Sequence, residues 1–221
     1  MRAAGFIVRA VSLPSQELAA RVEALLAKPY PTTKDVEAFC SHARLQGYPS
    51  VVVPSSLVEV CYDLVSDDGL KVCCLVGYPF GLSEADAKRY EVELAVDSLA
   101  HEIEFVPNIS RLMEGRFAAV LREIRDVVEA ADERPVRVNI ESSLWSDSQL
   151  GEIVRMVLDS GAQFISTSVA PSLKGTASET EVQKLRELIG PTFGLKVGGL
   201  KSIDAAEKLA SSGADRLGLL I

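Results

Sequence analysis

The side chains best suited to chemistry in this sequence lie where buried, strand-like runs of the chain end. Glu104 offers a carboxylate, Ser166 a hydroxyl and Lys196 an amine, and each lies in such a run. A carboxylate transfers protons and a hydroxyl donates a hydrogen bond. An amine adds to a carbonyl group or, when it is charged, attracts the carbonyl oxygen. Together these side-chain types are candidates for acid–base or nucleophilic chemistry.

A structural role for the same residues is the competing interpretation. Lys196 and Glu104 would then form a buried ion pair, which persists because removing either partner leaves an uncompensated charge. Further polar candidates at strand ends are Asn139, Glu141 and Ser168. Both interpretations place the amine of Lys196 beside the carboxylate of Glu104.

Two glycines and a loop lysine are candidates for binding phosphate. Gly198 and Gly199 follow Lys196, and their backbone N–H groups could form part of an anion-binding nest. Lys174 could add a positive charge, although a loop lysine is more often a solvated surface residue. We expect weak or absent phosphate binding rather than tight binding.

Composition excludes several classes of function. The chain has 221 residues and a formal net charge of −8. This charge opposes binding to nucleic acids or to anionic membrane surfaces, which requires a basic face. No apolar run approaches the ~20 residues that span a bilayer. We therefore expect neither a nucleic-acid partner nor a membrane partner.

The cysteines and histidines give no pattern for a metal site. The cysteines are Cys40, Cys61, Cys73 and Cys74, and none belongs to a pair of C-x-x-C motifs. Buried free thiols suit a reducing compartment and predict a cytoplasmic protein. With only His42 and His101 present, a serine–histidine–aspartate triad or a histidine-rich metal site is not expected. No metal or other cofactor is predicted.

The elements that carry these residues alternate between short apolar runs and longer amphipathic segments. Predicted strands lie near residues 25–27, 51–53, 70–77, 102–106, 136–141, 163–168, 195–199 and 215–221. Capping boxes at Ser146/Gln149 and Ser178/Glu181 mark the starts of two intervening helices. Eight such units predict a (β/α)8 TIM barrel, with a doubly wound open sheet as the alternative. We expect one domain over residues 1–221, with residues 1–20 as an N-terminal arm or helix.

Nearly the whole chain resembles the deoxyribose-phosphate aldolase family of class I aldolases. The resemblance rests on Val76-Gly77-Tyr78-Pro79-Phe80-Gly81, Glu102-Ile103-Glu104, Ser160-Gly161-Ala162, Phe164-Ile165-Ser166-Thr167-Ser168 and Lys196-Val197-Gly198-Gly199. It implies that Ser166 stands where the family has its Schiff-base lysine. It also implies that Lys196 is the family's second lysine and that Glu104 replaces its proton-transfer aspartate. Arg137 matches a basic residue of strand five and is a candidate for binding.

The family's early Asp-x-Thr pair falls on two different residues here. Glu23 takes the position of the aspartate, and Leu25 takes that of the threonine, whose hydroxyl is lost. Val52 occupies the position of the family's cysteine on strand two.

The serine at position 166 decides what function the resemblance implies. A hydroxyl cannot form an imine with an aldehyde, so the leading hypothesis is an aldolase-like scaffold or binding subunit without ordinary aldolase activity. The alternative is a carbon–carbon lyase, or altered carbonyl chemistry, on a small aldehyde or sugar phosphate using Lys196 and Glu104. A homo- or hetero-oligomer is a third expectation, because a chain that ends within strand eight would leave an open seam beside strand one.

Overall fold

The structure is a computed structural model that describes residues 14–168 and 176–221. Within this part of the chain, eight parallel strands close into a barrel in chain order. The strands are β1 (Val22–Leu25), β2 (Ser50–Pro54), β3 (Lys71–Val76), β4 (Glu102–Phe105), β5 (Val136–Asn139), β6 (Phe164–Ser166), β7 (Gly194–Leu200) and β8 (Arg216–Leu220). The predicted (β/α)8 barrel is confirmed, and the open-sheet alternative is wrong.

Helices alternate with the strands around the outside of the barrel. They are α1 (Gln16–Ala19), α2 (Thr33–Leu45), α3 (Val58–Val65), α4 (Ala85–Asp97), α5 (Ile109–Met113), α6 (Phe117–Ala130), α7 (Asp147–Leu158), α8 (Glu179–Ile189) and α9 (Ile203–Ser211). Their buried apolar faces join the outward side chains of the strands in one large core. The predicted N-terminal arm is described only from residue 14 onward, where α1 begins after Ser15.

The barrel closes between its first and last strands. β1 pairs with β8 over four residues, from Val22 opposite Leu217 to Leu25 opposite Leu220. The expectation of an open seam at this junction is therefore wrong. The first strand also begins three residues earlier than predicted, because pairing with β8 and β2 fixes its position rather than the apolar run that follows it.

Each strand is buried on both faces, because alternate side chains point to the helices and to the barrel interior. On β2, for example, Val51 and Val53 join the core beneath the helices. The inward side chains include a separate apolar cluster that consists of Leu25, Val52, Cys73, Leu75 and Val106. This double burial explains why the strands appear in the sequence as nearly continuous apolar runs.

The two predicted capping boxes form to different extents. Ser146 and Gln149 exchange both hydrogen bonds at the start of α7. At the start of α8, the Ser178 hydroxyl accepts a hydrogen bond of 3.2 Å from Glu181 N. The buried Glu181 Oε1, however, has no hydrogen-bond partner among the described residues. Only half of the second box is therefore present.

The cysteines agree with the sequence-based prediction, since all four are buried and free. In the described part of the chain, no helix is long and apolar enough to cross a membrane.

Candidate active site

The amine of Lys196 lies at the centre of the polar residues inside the barrel. Its Nζ contacts Oε2 of Glu104 and lies 3.0 Å from Oε2 of Glu23. The Lys196 side chain is 2% exposed, and both carboxylates are fully buried. Gly218 on β8 leaves the space for this arrangement, because a Cβ atom there would lie only 3.0 Å from Lys196 Cε. The predicted pairing of Lys196 with Glu104 is confirmed.

Further ion pairs connect Glu23 to residues toward the N-terminal end of the barrel. Arg137 on β5 pairs with both Glu23 and Glu102. Arg216 on β8, which is 23% exposed, lies 3.2 Å from Glu23 and 3.9 Å from Glu102. The ion-pair network therefore contains the carboxylates of Glu23, Glu102 and Glu104 and the cations of Arg137, Lys196 and Arg216, and the exposed Lys71 lies 3.6 Å from Glu102 at its edge. Opposite charges in similar numbers allow this many ionised groups to share a largely buried space.

The two carboxylates beside Lys196 differ in their affinity for protons. Burial raises the pKa of Glu23, but three nearby cations outweigh burial and lower this pKa to about 2. Burial also raises the pKa of Glu104, and there the opposing effect of Lys196 is too small to reverse the shift. Neighbouring carboxyl groups whose pKa values are pushed apart are typical of acid–base sites. Of the two, Glu104 is the one whose pKa lies above its ordinary value.

Lys196 itself is held in its charged form. Burial would lower the pKa of its amine, but the carboxylates of Glu104 and Glu23 outweigh burial and raise it. A protonated amine has no lone pair with which to attack a carbonyl carbon. Its charge can instead attract a carbonyl oxygen and stabilise the negative charge that develops there.

Ser166 lies opposite Lys196, on the neighbouring strand β6. Its side chain is fully buried, and its hydroxyl lies 3.4 Å from the carbonyl oxygen of Ser168. The hydroxyl also lowers the pKa of Glu104, an effect smaller than the rise caused by burial. Glu104 Oε1 accepts no hydrogen bond of ordinary geometry from the described residues.

The predicted phosphate-binding residues are partly occupied by contacts within the protein. The N–H of Gly198 donates to Thr167 Oγ1 at 3.3 Å. The carbonyl oxygen of Gly199, which has a φ of +73°, accepts from Thr176 Oγ1 at 3.1 Å. Lys174 lies outside the described residues. Weak or absent phosphate binding at these positions stays a prediction.

Two other predicted positions make contacts that the sequence did not indicate. Asn139 Nδ2 donates to Glu141 Oε1 at 3.1 Å. Arg137 is 1% exposed and faces the carboxylates of the ion-pair network. Arg137 thus stabilises the charge of Glu23, and its role in ligand binding stays a prediction.

Sequence comparisons identify the family. A protein from Bdellovibrio bacteriovorus named deoxyribose-phosphate aldolase is 32% identical over 203 residues, which cover 91% of this chain and 92% of that protein. Deoxyribose-phosphate aldolase 1 from Bacillus licheniformis is 32% identical over 206 residues, with 92% of each chain covered. The chain belongs to the deoxyribose-phosphate aldolase family. No protein-family model matches it.

Solved structures agree with membership of the deoxyribose-phosphate aldolase family. A deoxyribose phosphate aldolase from Aeropyrum pernix, described as a unique tetrameric structure, has a TM-score of 0.84 and 27% sequence identity, covering 92% of this chain and 86% of that chain. A second neighbour, described as QR15, an aldolase, has a TM-score of 0.87 and 24% identity, covering 92% and 91%. The barrel described above is the fold that these proteins share.

Sequence reasoning missed two members of the ion-pair network, Glu102 and Arg216. Glu102 precedes Glu104 by two residues, so both side chains point to the same side of β4. This spacing is a signal that could have placed Glu102 inside the barrel. Arg216 gives no such signal, because its contacts come from strands β1 and β4 at distant points of the chain.

The described residues contain no cluster arranged for metal binding. Across residues 14–168 and 176–221, no group of three or more histidine, cysteine, aspartate and glutamate side chains could hold a metal ion.

Proposed function

We propose that the protein is an enzyme of the aldehyde-lyase type that acts on a carbonyl substrate, either a small aldehyde or a sugar phosphate. The observation that carries this proposal is the position of Glu104. One of its oxygens contacts Lys196, while the other is buried and has no hydrogen-bond partner among the described residues. A buried acceptor without a partner is rare and suits a group that receives a proton from a ligand. Membership of the deoxyribose-phosphate aldolase family supports the reaction class.

Lys196 is proposed to hold the carbonyl oxygen rather than to attack the carbonyl carbon. Its two carboxylate partners raise the pKa of its amine and keep it charged. In a cleavage reaction, Glu104 would take the proton from the β-hydroxyl group of the substrate. The bond between the α- and β-carbons would then break, and its electron pair would form an enolate whose oxygen faces Lys196. The return of the proton from Glu104 to the α-carbon completes the reaction.

Ser166 is proposed to donate a hydrogen bond to the ligand. It lies opposite Lys196, at the position where the family resemblance places the Schiff-base lysine. A hydroxyl in this place can orient a carbonyl or hydroxyl group, but it cannot form an imine. The proposed reaction therefore proceeds without a covalent intermediate on Ser166.

The direct test is exchange of the α-protons of an aldehyde with solvent deuterium, followed by NMR. We expect exchange with the unaltered protein and at least a 100-fold loss in Glu104→Gln, because the proton acceptor is removed. The matched control is Glu187→Gln, which makes the same chemical change at an exposed position of α8. Equal exchange rates in the two variants would exclude Glu104 as the proton-transfer group. Cleavage of deoxyribose 5-phosphate, measured in parallel, tests the lyase reaction itself.

Borohydride reduction distinguishes the two possible roles of Lys196. Protein incubated with acetaldehyde and borohydride is examined by mass spectrometry. A charged Lys196 that only attracts the carbonyl oxygen gives no adduct, whereas a relocated imine former gives a stable adduct on Lys196. In the Ser166→Lys variant a second amine lies beside the first, and like-charge repulsion lowers its pKa. We expect that variant to be trapped through residue 166.

A scaffold or binding subunit without aldolase activity is the second candidate function. The observation that favours it is the burial of Lys196, which is 2% exposed and held by two carboxylates. Absence of proton exchange, of cleavage and of a borohydride adduct in the folded protein would support this candidate over the enzyme.

We also propose that the protein is cytoplasmic and forms a homo-oligomer. Four buried free cysteines suit a reducing compartment. The tetrameric description of the Aeropyrum pernix structure supports assembly of identical chains. Closure of the barrel between β1 and β8 removes the reason for expecting a different partner chain at that junction. Light scattering on the purified protein measures the assembly directly.

A further inference from the structure

Two of the buried cysteines meet where α2 packs against α3. Cys40 lies on the buried face of α2, and Cys61 lies on the buried face of α3. The thiol of Cys61 donates a hydrogen bond to the sulfur of Cys40. Both residues belong to the core between the helices and the barrel. The fold therefore brings two thiols from different helices into direct contact.

Arg44 holds the two helices together close to this pair of cysteines. From the last turn of α2, its Nη2 donates to the carbonyl oxygen of Leu64 on α3 at 2.8 Å. The same nitrogen lies 2.5 Å from Oδ2 of Asp68, which follows α3. Arg44 and Leu64 lie about one helical turn beyond Cys40 and Cys61. Because the helices are fixed in this way, a small rotation of the two side chains is enough to bring the sulfurs to bonding distance.

The two thiols differ in how readily they lose a proton. The hydrogen bond from Cys61, together with the nearby charge of Arg44, lowers the pKa of the Cys40 thiol against the effect of burial. The same hydrogen bond and burial raise the pKa of the Cys61 thiol. The thiolate is the nucleophilic form of cysteine. Cys40 is therefore the sulfur that reacts first with an oxidant, and Cys61 lies beside it as the second thiol.

The other two cysteines are arranged differently. Cys73 and Cys74 are adjacent on β3, so their side chains point to opposite faces of the strand. Cys73 belongs to the cluster inside the barrel, whereas Cys74 belongs to the core beneath the helices. Burial is the largest influence on both thiols and raises the pKa of each. These two residues provide an internal comparison for the reactivity of Cys40 and Cys61.

We infer that Cys40 and Cys61 form a site of reversible oxidation, at which a peroxide converts the two thiols to a disulfide between α2 and α3. This site is independent of the proposed aldehyde-lyase function. Its disulfide would be transient in a reducing compartment, because small thiols and thiol-dependent reductants reverse it.

The chemistry of this step balances with hydrogen peroxide as the oxidant. The Cys40 thiolate attacks one peroxide oxygen, the O–O bond breaks, and Cys40 becomes a sulfenic acid while hydroxide leaves and takes up the proton that Cys40 had released. Cys61 then attacks the Cys40 sulfur, and the S–S bond forms as the S–O bond breaks. The departing hydroxide takes the proton of Cys61. Two thiols thus lose two electrons and two protons, and one peroxide becomes two water molecules.

Peptide mapping by mass spectrometry tests this inference on the folded, full-length protein. The reduced protein is treated with hydrogen peroxide, its remaining thiols are alkylated in denaturant, and it is digested without reduction. We expect most molecules to lose two hydrogen atoms and to yield one cross-linked peptide pair that contains Cys40 and Cys61. Treatment with dithiothreitol should restore both thiols. Cys73 and Cys74 should be recovered in the alkylated form.

Two variants separate the proposed site from general oxidation of buried thiols. Cys61→Ala should form no disulfide and should instead gain oxygen atoms on Cys40, because the second thiol is missing. Cys74→Ala makes the same chemical change at another buried cysteine. We expect this control to form the disulfide between Cys40 and Cys61 at the rate of the unaltered protein.

Mapping of the unaltered protein decides the inference even where a variant does not fold. Oxygenated Cys40 without a cross-link overturns it, as does resistance of both Cys40 and Cys61 to peroxide. Cross-links that include Cys73 or Cys74 in similar amounts also overturn it, because they would show that the thiols react in unfolded molecules rather than at a site built by the fold.

Discussion

Lys196 and Lys88 are both buried beside buried glutamates, yet their surroundings shift their pKa values in opposite directions. Lys196 lies inside the barrel between two carboxylates, which raise the pKa of its amine against the effect of burial. Lys88 lies on α4, outside the barrel, and pairs with the single carboxylate of Glu123 on α6. Burial lowers the pKa of Lys88, and Glu123 does not fully oppose it. The second carboxylate beside Lys196 is therefore the main reason why the pKa of its amine is raised while that of Lys88 is lowered.

The two lysines also differ in what their remaining contacts accomplish. Lys88 Nζ donates to the carbonyl oxygen of Gly81 at 2.7 Å and lies 5.2 Å from the centre of the Phe105 ring. These contacts fix the loop after β3 against the barrel. Among the described residues, the amine of Lys196 pairs with the side chains of Glu104 and Glu23 inside the barrel. We therefore expect a structural role for Lys88, whereas Lys196 carries the role in the proposed reaction.

Removing the carboxylate that pairs with Lys88 should have the largest effect on stability. We expect Glu123→Gln to lower the free energy of unfolding by about 3–5 kcal/mol, because a buried cation is left without a counter-charge. Urea denaturation measures this change. Glu129→Gln on the same helix, at an exposed position, is the control and should change stability by less than about 0.5 kcal/mol. A similar value for both variants would show that the buried pair does not stabilise the fold.

Glu23 should make the stability of the ion-pair network depend on acid pH. Its pKa is lowered from 4.5 to about 2 in the folded protein, so its charged form is favoured by folding. The resulting stabilisation is present above pH 4.5 and is lost as the pH falls toward 2. We expect the difference in the free energy of unfolding between the unaltered protein and Glu23→Gln to shrink by a few kcal/mol as the pH falls from 4.5 toward 2. A difference that stays constant with pH would contradict the assigned charge state.

Replacing Glu104 should cost less stability than replacing Glu123. In Glu104→Gln, Lys196 still has Glu23 as a counter-charge. In addition, burial raises the pKa of Glu104 and so already disfavours the charged form of this carboxyl group. We expect a loss of about 1–3 kcal/mol in the free energy of unfolding, together with the loss of proton exchange described above. An equal loss in the free energy of unfolding for Glu104→Gln and Glu123→Gln would show that Glu23, the second carboxylate, does not compensate the charge of Lys196.

The smallest effect expected is a difference in titration between the two lysines. Side-chain NMR of the unaltered protein should show Lys88 losing its proton below its ordinary pKa of 10.5 and Lys196 losing its proton above that value. Lys88 then makes stability increase as the pH rises toward 10.5, whereas Lys196 makes it decrease above 10.5. The variants Lys88→Met and Lys196→Met assign the two signals. The reverse order of titration would overturn the comparison between the two sites.

Most of the barrel was predictable because its strands and helices have strong local patterns. The capping box at Ser146 and the apolar runs of β2 to β8 required no knowledge of distant contacts. The pairing of Lys196 with Glu104 was predictable as well, since both residues lie on inward positions of strands in a barrel. The position of β1 was missed because only its partners β2 and β8 fix it.

The buried pair of Lys88 and Glu123 shows why other contacts could not be predicted. Each residue lies on a helix whose sequence is amphipathic, where a charged side chain usually faces solvent. Packing of α4 against α6 and the barrel turns both side chains inward. No local pattern distinguishes them from the exposed charges on the same helices.

The sequence by itself determined the β/α units, the double burial of the strands and the presence of Glu104, Ser166 and Lys196 near strand ends. Tertiary structure alone decided that Glu23 from the first strand shares the amine of Lys196, and that aliphatic side chains lie above the charges. The physical reason is closure of the barrel. Local patterns fix which side chains point inward, but the pairing of β1 with β8 fixes which of them meet. The resulting distances set the pKa values of the buried ionised groups.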